Sequence, residues 1–205
     1  MNTKQHWEDV YKTKQFTDVS WYQPTPQASL DFINELKISK DAAIIDTGGG
    51  DSYLVDHLLK NGFTDITVLD ISEAAIDKAQ KRLGKNAEKI NWIVSDITIF
   101  NSEKKFDFWH DRAAFHFLTT EKQVNQYLSV AEKHITPGGR MVIGTFSYEG
   151  PEKCSGLPVK QYSEQSLTQL LKQWFQKIKC ITVDHLTPFN TVQNFLFCGF
   201  IKTNY

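Results

Sequence analysis

Hydrophobic positions recur along the chain with two alternating periods. Short runs rich in Ile, Val, Leu and Phe predict buried strands, and the segments between them carry apolar residues at helical spacing. The runs that predict strands cover residues 42–46, 66–70, 90–94, 106–110, 140–146, 181–186 and 195–201. Strands that alternate with helices in this way are typical of a parallel sheet with helices on both faces. The pattern therefore predicts an α/β fold with a seven-stranded, mostly parallel sheet.

Residues typical of helix ends divide the segments between the strands. Ser72 is a predicted N-cap, and residues 120–123 have the form of a capping box. A helix is predicted over 163–176. The last two strands are joined by a short link that contains Pro188, which predicts an antiparallel hairpin at the C-terminus. Because no repeat or linker interrupts the pattern, residues 1–205 are predicted to form a single domain.

Charge and composition exclude some classes of function. Of the 205 residues, 40% are hydrophobic and 23% are charged, which is the usual range for a globular domain. Lys and Arg total 23 against 24 Asp and Glu, so the formal net charge is −1. Proteins that bind nucleic acid by neutralising phosphates usually carry a basic excess. A nucleic-acid partner is therefore not expected.

Neither apolar runs nor cysteine spacing indicates a membrane or secreted protein. No apolar run approaches the roughly 20 residues that span a bilayer, and residues 1–10 lack the apolar core of a secretory signal. Cys154, Cys180 and Cys198 show no CxxC spacing, which suits a reducing compartment better than a disulfide framework. We therefore expect a cytoplasmic location and no membrane partner.

Three consecutive glycines at 48–50 lie between the first predicted strand and the next helix. Glycines permit a tight turn and a close approach by a ligand, whereas a turn without a ligand is the alternative. A dinucleotide fingerprint would need a further glycine where Tyr53 stands, and no P-loop pattern is present. Asp46 and Asp51 flank the loop and would repel a pyrophosphate there. The sequence favours a cationic or zwitterionic nucleoside as the ligand.

Four aspartates stand at or just beyond the predicted strand ends, namely Asp46, Asp70, Asp96 and Asp111. In open α/β sheets the carboxyl ends of the strands meet at one edge, where ligands bind. Asp70 is placed to accept hydrogen bonds from both hydroxyls of a ribose, and Asp96 would lie at the adenine. Any one of them alone is explained as a helix cap or a surface residue, but four together favour a nucleoside site.

These motifs, taken in order, resemble the class I S-adenosylmethionine-dependent methyltransferases. The resemblance spans about residues 42–146 and rests on Ile-Ile-Asp-Thr-Gly-Gly-Gly, Val-Leu-Asp-Ile-Ser, Val-Ser-Asp-Ile, Phe-Asp-Phe-Trp and Thr-Pro-Gly-Gly-Arg. It implies a Rossmann-like fold, an enzyme, and S-adenosylmethionine as the cofactor. The chain also looks like small bacterial methyltransferase-domain proteins that carry His-Asp-Arg-Ala and Cys-Ser-Gly-Leu blocks.

The resemblance assigns contacts to several of the residues already singled out. It implies that Gly48 and Gly50 meet the methionine part of the cofactor, that Asp70 binds the ribose, and that Asp96 and Ile97 meet the adenine. Ser52 stands where the family often has another glycine, which leaves the contact there open. The full set of predicted cofactor-binding residues is Asp46, Gly48, Gly49, Gly50, Ser52, Asp70, Ile71, Asp96 and Ile97.

The resemblance further implies that the N-terminal segment caps the cofactor and acceptor pocket. Trp7, Tyr11, Trp21 and Tyr22 are candidates for a lid that excludes water or stacks on a ligand, and the alternative is a helix that only packs on the domain. Trp21 and Tyr22 are predicted substrate-binding residues. The domain is thereby divided into a cap, a cofactor-binding core, and an acceptor-side loop with the hairpin, at residues 1–40, 41–146 and 147–205.

The segment 109–118, after the fourth predicted strand, combines titratable groups with aromatic residues. We predict Asp111 or His116 as a general base or as a group that orients the acceptor; a base can contribute roughly 10²- to 10⁴-fold. Arg112 would hold an anionic part of the acceptor or fix Asp111, and His110 suits either task. The alternative is a structural ion pair between Asp111 and Arg112, with His116 buried in an apolar helix.

The loop after the fifth predicted strand is expected to fold over the same edge of the sheet. It carries Tyr148 and Cys154, which we predict as substrate-binding residues. Cys154 lacks partners at the spacing of a metal site, so no metal is expected.

Three functions remain open at this point. The leading prediction is methyl transfer to a small-molecule acceptor, because the chain is short and its predicted entrance is aromatic. A protein-lysine methyltransferase is the second, and it needs an open groove in which aromatic or acidic side chains attract the cation. A non-catalytic module that binds S-adenosylmethionine is the third, and the charges on the acceptor side argue mildly against it.

Overall fold

The computed structural model describes residues 3–203, apart from the side chain of Phe16, so the outermost residues of the predicted division lie outside it. The strands are β1 (Ala43–Thr47), β2 (Asp65–Asp70), β3 (Ile90–Val94), β4 (Phe106–Arg112), β5 (Ile135–Phe146), β6 (Lys153–Cys154), β7 (Leu157–Pro158), β8 (Phe175–Leu186) and β9 (Val192–Lys202). The α-helices are α1 (Thr3–Thr13), α2 (Gln27–Glu35), α3 (Leu54–Lys60), α4 (Glu73–Leu83), α5 (Glu121–His134) and α6 (Glu164–Leu171).

Seven strands form one sheet in the order β3-β2-β1-β4-β5-β9-β8. The first five strands in this order are parallel, whereas β9 runs antiparallel to both β5 and β8. This arrangement confirms the predicted Rossmann-like sheet and its C-terminal antiparallel hairpin. The strand order reverses between β1 and β4, and ligands of such sheets bind at the carboxyl ends of the strands beside that point.

Side chains alternate between the two faces of each strand, so each face has its own core. On one face, Trp109 and Met141 pack with Tyr127 of α5 and with residues of α6. On the other face, Phe108 and Val142 pack with residues of α2 and α3. In β4, therefore, His110 continues the α2 face and Asp111 continues the α5 face.

Two predicted helix starts are confirmed by their hydrogen bonds. The hydroxyl of Ser72 accepts from the N–H of Ala75 at 3.2 Å. Thr120 and Gln123 satisfy one another's backbone N–H groups in a capping box at the start of α5. Such caps replace hydrogen bonds that the first turn of a helix lacks.

The boundary between α6 and β8 differs from the prediction. The helix predicted over 163–176 ends at Leu171, and β8 begins at Phe175 rather than at residue 181. Phe175 is buried and pairs with Lys202 of β9. No glycine or proline marks the boundary between α6 and β8 in the sequence. The boundary is set instead by the burial of Phe175 in the sheet.

Cys180 and Cys198 are cross-strand neighbours on β8 and β9, and their sulfurs are joined in a disulfide. This bond differs from the expectation that the cysteines are reduced; Cys154 is free and buried. Across the described part of the chain, no helix is both long enough and apolar enough to cross a bilayer.

Candidate functional site

A cavity of about 160 Å³ lies at the carboxyl ends of β1, β2 and β4, between the sheet and α1. It brings together most of the residues predicted from the sequence. Those that line it are Asp46, Gly48, Gly49, Ser52, Asp70, Ile71, Asp96, Ile97, His110, Arg112, Trp21 and Cys154. The predicted residues outside its lining are Gly50, Tyr22, Asp111, His116 and Tyr148.

The glycine loop leaves no room for side chains. Gly48 has a positive φ of 66°, its N–H donates to the carbonyl of Leu69 at 2.7 Å, and a Cβ there would overlap the Cβ of Ala114. A Cβ at Gly49 would lie 2.6 Å from Oδ2 of Asp46. The loop therefore exposes backbone to the cavity, and only glycine permits this close packing.

Gly50 shapes the same wall without lining the cavity. Its φ is 44°, and a Cβ there would lie 2.8 Å from the hydroxyl of Tyr11 and 2.9 Å from Oδ2 of Asp70. A side chain at Gly50 would displace these two groups.

Asp70 is a buried carboxyl at the end of β2. Its Oδ1 accepts the N–H of Ser72 at 2.8 Å. Burial and, to a smaller extent, the nearby charge of Asp46 raise the pKa of Asp70 to about 7 against the opposing effect of the hydrogen bond from Ser72. The charge of Asp70 thus changes near neutral pH, at the point where a ribose was predicted to bind.

Asp96 and Ser52 line the cavity and also support local backbone. Oδ1 of Asp96 accepts from both the N–H and the hydroxyl of Thr98 at 2.8 Å, which caps the short helix Ile97–Ile99. The hydroxyl of Ser52 accepts the N–H of Leu54 at 3.1 Å, so Ser52 stabilises the start of α3.

His110 links two strands and a helix beneath the cavity. Its Nδ1 lies 2.7 Å from Oδ1 of Asp46, and its Nε2 lies 2.8 Å from the hydroxyl of Ser29 on α2. All three side chains are buried. Because both ring nitrogens are engaged, His110 orients Asp46 rather than offering a free nitrogen to an acceptor. Sequence reasoning missed Ser29, which has no local motif.

The structure corrects the prediction that Asp111 faces the acceptor. Asp111 is fully buried on the α5 side of β4, and burial raises its pKa. Its Oδ1 accepts the N–H groups of Ala114 and Phe115 at 3.1 and 3.0 Å, and its Oδ2 accepts the hydroxyl of Tyr127 at 3.0 Å. Thr47 Oγ1 lies 3.1 Å from the same oxygen. These bonds hold the turn after β4 in place, which is a structural role.

His116 is also buried, and it does not line the cavity. Its Nδ1 accepts the N–H of Phe146 at 3.3 Å. Burial, reinforced by the charge of Arg112, lowers the pKa of His116 to about 3. The imidazole is therefore neutral at physiological pH, as in the alternative of a histidine buried among apolar side chains.

Arg112 lines the cavity and makes no ion pair with Asp111. Its Nη1 donates to the carbonyl of Trp21 at 3.1 Å, and its guanidinium lies 5.3 Å from the centre of the Phe195 ring. Burial lowers the pKa of Arg112 to about 10, so it stays charged at neutral pH.

Aromatic side chains from the N-terminal segment line the cavity. The ring of Trp7 lies 5.0 Å from that of Phe117 and 5.7 Å from that of Trp21, and Tyr11 lies 6.3 Å from Trp21. Phe117, which also lines the cavity, was not among the predicted residues. Of the other predicted substrate-binding residues, Tyr22 packs near Tyr53 and Tyr148 is exposed.

The chemistry of this lining fits a nucleoside that carries a positive charge. Asp46, Asp70 and Asp96 supply carboxyl groups. The glycine loop exposes its backbone, so that a ligand can approach it closely. Within residues 3–203, no cluster of three or more His, Cys, Asp or Glu side chains is arranged to hold a metal ion.

Comparisons with known proteins agree with this geometry. A family model described as a methyltransferase domain matches residues 45–141, slightly under half of the chain. The chain is 24% identical over 189 residues to the EEF1A lysine methyltransferase 2 of Danio rerio, covering 87% of this chain and 77% of that protein. It is 26% identical over 168 residues to a malonyl-[acyl-carrier protein] O-methyltransferase of Ilyobacter polytropus, covering 77% of this chain and 61% of that relative.

A solved structure shares the fold over almost its whole length. The N-methyltransferase NodS of Bradyrhizobium japonicum, in complex with S-adenosyl-L-homocysteine, superposes with a TM-score of 0.72 at 18% identity. The match covers 98% of this chain and 99% of that one. At this identity the match speaks for the fold, and the family model adds the sequence evidence.

Proposed function

We propose that this chain, which belongs to the class I S-adenosylmethionine-dependent methyltransferases, transfers a methyl group from S-adenosylmethionine to a small-molecule acceptor. The observation that carries the proposal is the aromatic wall that Trp7, Tyr11 and Trp21 form along the cavity. Aromatic walls of this kind suit a small ligand that is removed from water, whereas a protein side chain would need an open groove.

Bound S-adenosylmethionine supplies an electrophilic methyl group on a sulfonium ion. We propose that Gly48 and Gly49 meet its methionine part, that Asp70 accepts hydrogen bonds from its ribose, and that Asp96 with Ile97 borders its adenine. The cradle formed by the glycine loop supports this assignment, since side chains there would meet Ala114 or Asp46.

The residues of the acceptor side act chiefly by position. Asp111 and His116 lie outside the cavity lining, and His110 uses both ring nitrogens within the protein. We therefore assign catalysis to orientation of the two reactants and exclusion of water, which can contribute roughly 7–11 kcal/mol. In this proposal residues 1–40 act as the cap, 41–146 hold the donor and 147–205 border the acceptor.

A protein lysine is the second candidate acceptor. The Danio rerio relative, a lysine methyltransferase by name, aligns with 87% of this chain. For such an acceptor the N-terminal segment would have to open, so that a lysine could reach the donor past Trp7 and Trp21.

Transfer of labelled methyl groups distinguishes these functions. The purified protein is incubated with methyl-labelled S-adenosylmethionine and cell lysate, and small molecules are then separated from macromolecules. We expect label in a new small-molecule product. Label on a lysine of one protein band would favour the second candidate, and no transfer of label to either fraction would contradict the proposed activity.

Two glycine variants, a test and its matched control, examine the glycine loop. Gly48→Ala puts a side chain at a positive φ where it meets Ala114, and it should abolish transfer of the label. Gly62 also has a positive φ, of 82°, but in Gly62→Ala no atom would lie within 4 Å of the added Cβ. It should retain the activity, which separates a blocked site from general backbone strain.

A further inference from the structure

Arg112 has two donor atoms that nothing in the described protein satisfies. Its Nη1 donates to the carbonyl of Trp21, but Nε and Nη2 are buried and have no hydrogen-bond partner among residues 3–203. None of the ion pairs formed by the described residues includes Arg112. The carboxylate that most affects its charge, Asp46, is already bonded to His110.

A buried cation in this state is costly to the protein. A charged donor that is removed from water and left unpaired loses more free energy than a neutral one. Burial lowers the pKa of Arg112 to about 10, yet the guanidinium remains charged at neutral pH. A hydrogen-bond acceptor that enters the cavity lined by Arg112 would supply the missing partner.

We infer that Arg112 binds an anionic oxygen group of the methyl acceptor, so that the substrates are small molecules bearing a carboxylate or a similar oxyanion. The planar guanidinium fork matches two oxygens of such a group. This inference rests on the proposed function. Because Nε and Nη2 are covered in this conformation, the anion reaches them when the guanidinium turns toward the cavity or the segment around Trp21 moves.

Arg112 lies away from the predicted ribose and adenine contacts of S-adenosylmethionine. Asp70 and Asp96, the predicted contacts of the ribose and adenine, lie at the end of β2 and just after β3, whereas Arg112 pairs with Gly144 of β5 at the other side of the strand-order reversal. Its guanidinium packs against Phe195 of β9, further still from β2 and β3. The unpaired Nε and Nη2 of Arg112 thus lie on the side of the cavity opposite the predicted ribose and adenine contacts.

Binding of simple anions to the protein saturated with S-adenosylhomocysteine tests the inference by titration calorimetry. The probes are benzoate, its neutral analogue benzamide, and inorganic phosphate. We expect saturable binding of benzoate or phosphate and at least tenfold weaker binding of benzamide. Arg112→Gln should weaken anion binding at least tenfold, whereas Arg140→Gln, at a residue of β5 that pairs with Phe108 and lies away from the cavity, should leave it unchanged. Arg112→Lys, which keeps the charge and loses the fork, serves as a second variant if Arg112→Gln fails to fold.

Three results would overturn the inference. One is that neither benzoate nor phosphate binds with saturation. Another is that Arg112→Gln, or Arg112→Lys in its place, binds both anions as the wild type does. The third is that the variant loses tenfold in affinity for S-adenosylhomocysteine but none for 5′-methylthioadenosine, which lacks a carboxylate, because Arg112 would then hold the donor.

Failure of the proposed function gives a different result. If the wild type does not bind S-adenosylhomocysteine at all, the assignment of the donor site fails. The same anion titrations on the protein alone then still decide whether Arg112 is an anion site.

Discussion

The carboxyl of Asp70 makes binding of the donor dependent on pH. With a pKa of about 7, which burial raises above the ordinary range, Asp70 is mostly protonated at pH 6 and mostly ionised at pH 8. The ionised form accepts hydrogen bonds from hydroxyl groups more strongly. We predict that affinity for S-adenosylhomocysteine increases by up to about tenfold from pH 6 to pH 8, following the ionised fraction.

Calorimetric titration across that range measures the effect, with Asp70→Asn as the control. The variant cannot ionise, so its affinity should be low and independent of pH between 6 and 8. A flat profile for the wild type, or the same slope in both proteins, would show that Asp70 does not contact the nucleoside.

Individual site residues differed in how far the sequence could predict them. Asp46, Asp70 and Asp96 line the cavity because parallel strands bring their carboxyl ends to one edge, which is a general rule of the fold. Within β4 this rule does not tell which residue lines the cavity, since neighbouring residues point to opposite faces of the sheet. Arg112 therefore lines the cavity and Asp111 faces α5, a distinction that a strict count of alternating positions along the strand would have made.

At the scale of elements, α1 is held to the domain by a charged contact as well as by aromatic ones. Glu8 of α1 accepts the N–H groups of Glu73 and Ala74 at 2.6 and 3.3 Å, at the first turn of α4. A carboxylate is favourable there because the helix N-terminus carries partial positive charge. The contact joins residues 65 and 66 positions apart, and no local pattern in the sequence reports it.

Glu8→Gln keeps the size of the side chain and removes its charge. We predict a loss of about 1 kcal/mol in the docking of α1, and hence about fivefold faster amide exchange in its segment. Hydrogen–deuterium exchange on Thr3–Thr13 measures this. Glu73→Gln removes an exposed side-chain charge at the same helix end but keeps the backbone N–H that Glu8 accepts, so it should leave exchange there unchanged. Equal exchange in wild type and Glu8→Gln would assign the docking to the aromatic contacts alone.

At the scale of the whole molecule, the sequence predicted the type of sheet. It did not predict the bounds and register of β8 and β9 at one edge of that sheet. Alternating strands and helices determine β1 to β5, because each crossover covers one face of the sheet. The early start of β8 depends instead on where Phe175 is buried, which is a tertiary effect. The pairing of Cys180 with Cys198 depends in turn on the register of β8 against β9, and spacing along the chain does not reveal it.

The disulfide between Cys180 and Cys198 should stabilise the whole domain without affecting the cavity. It closes a loop between residues 18 positions apart, and neither cysteine lines the cavity. Constraint of the unfolded chain over such a loop contributes about 3 kcal/mol. We therefore predict that reductant lowers Tm by about 6–12 °C and changes the affinity for S-adenosylhomocysteine by less than twofold.

Thermal unfolding with and without reductant measures the change in Tm. Cys154→Ser, which lacks the free thiol, should show the same loss of Tm, whereas Cys180→Ser should show none. Three titratable thiols in the denatured, unreduced wild type would mean that the bond does not form, and the hairpin would then be held by its strand pairing and core contacts alone.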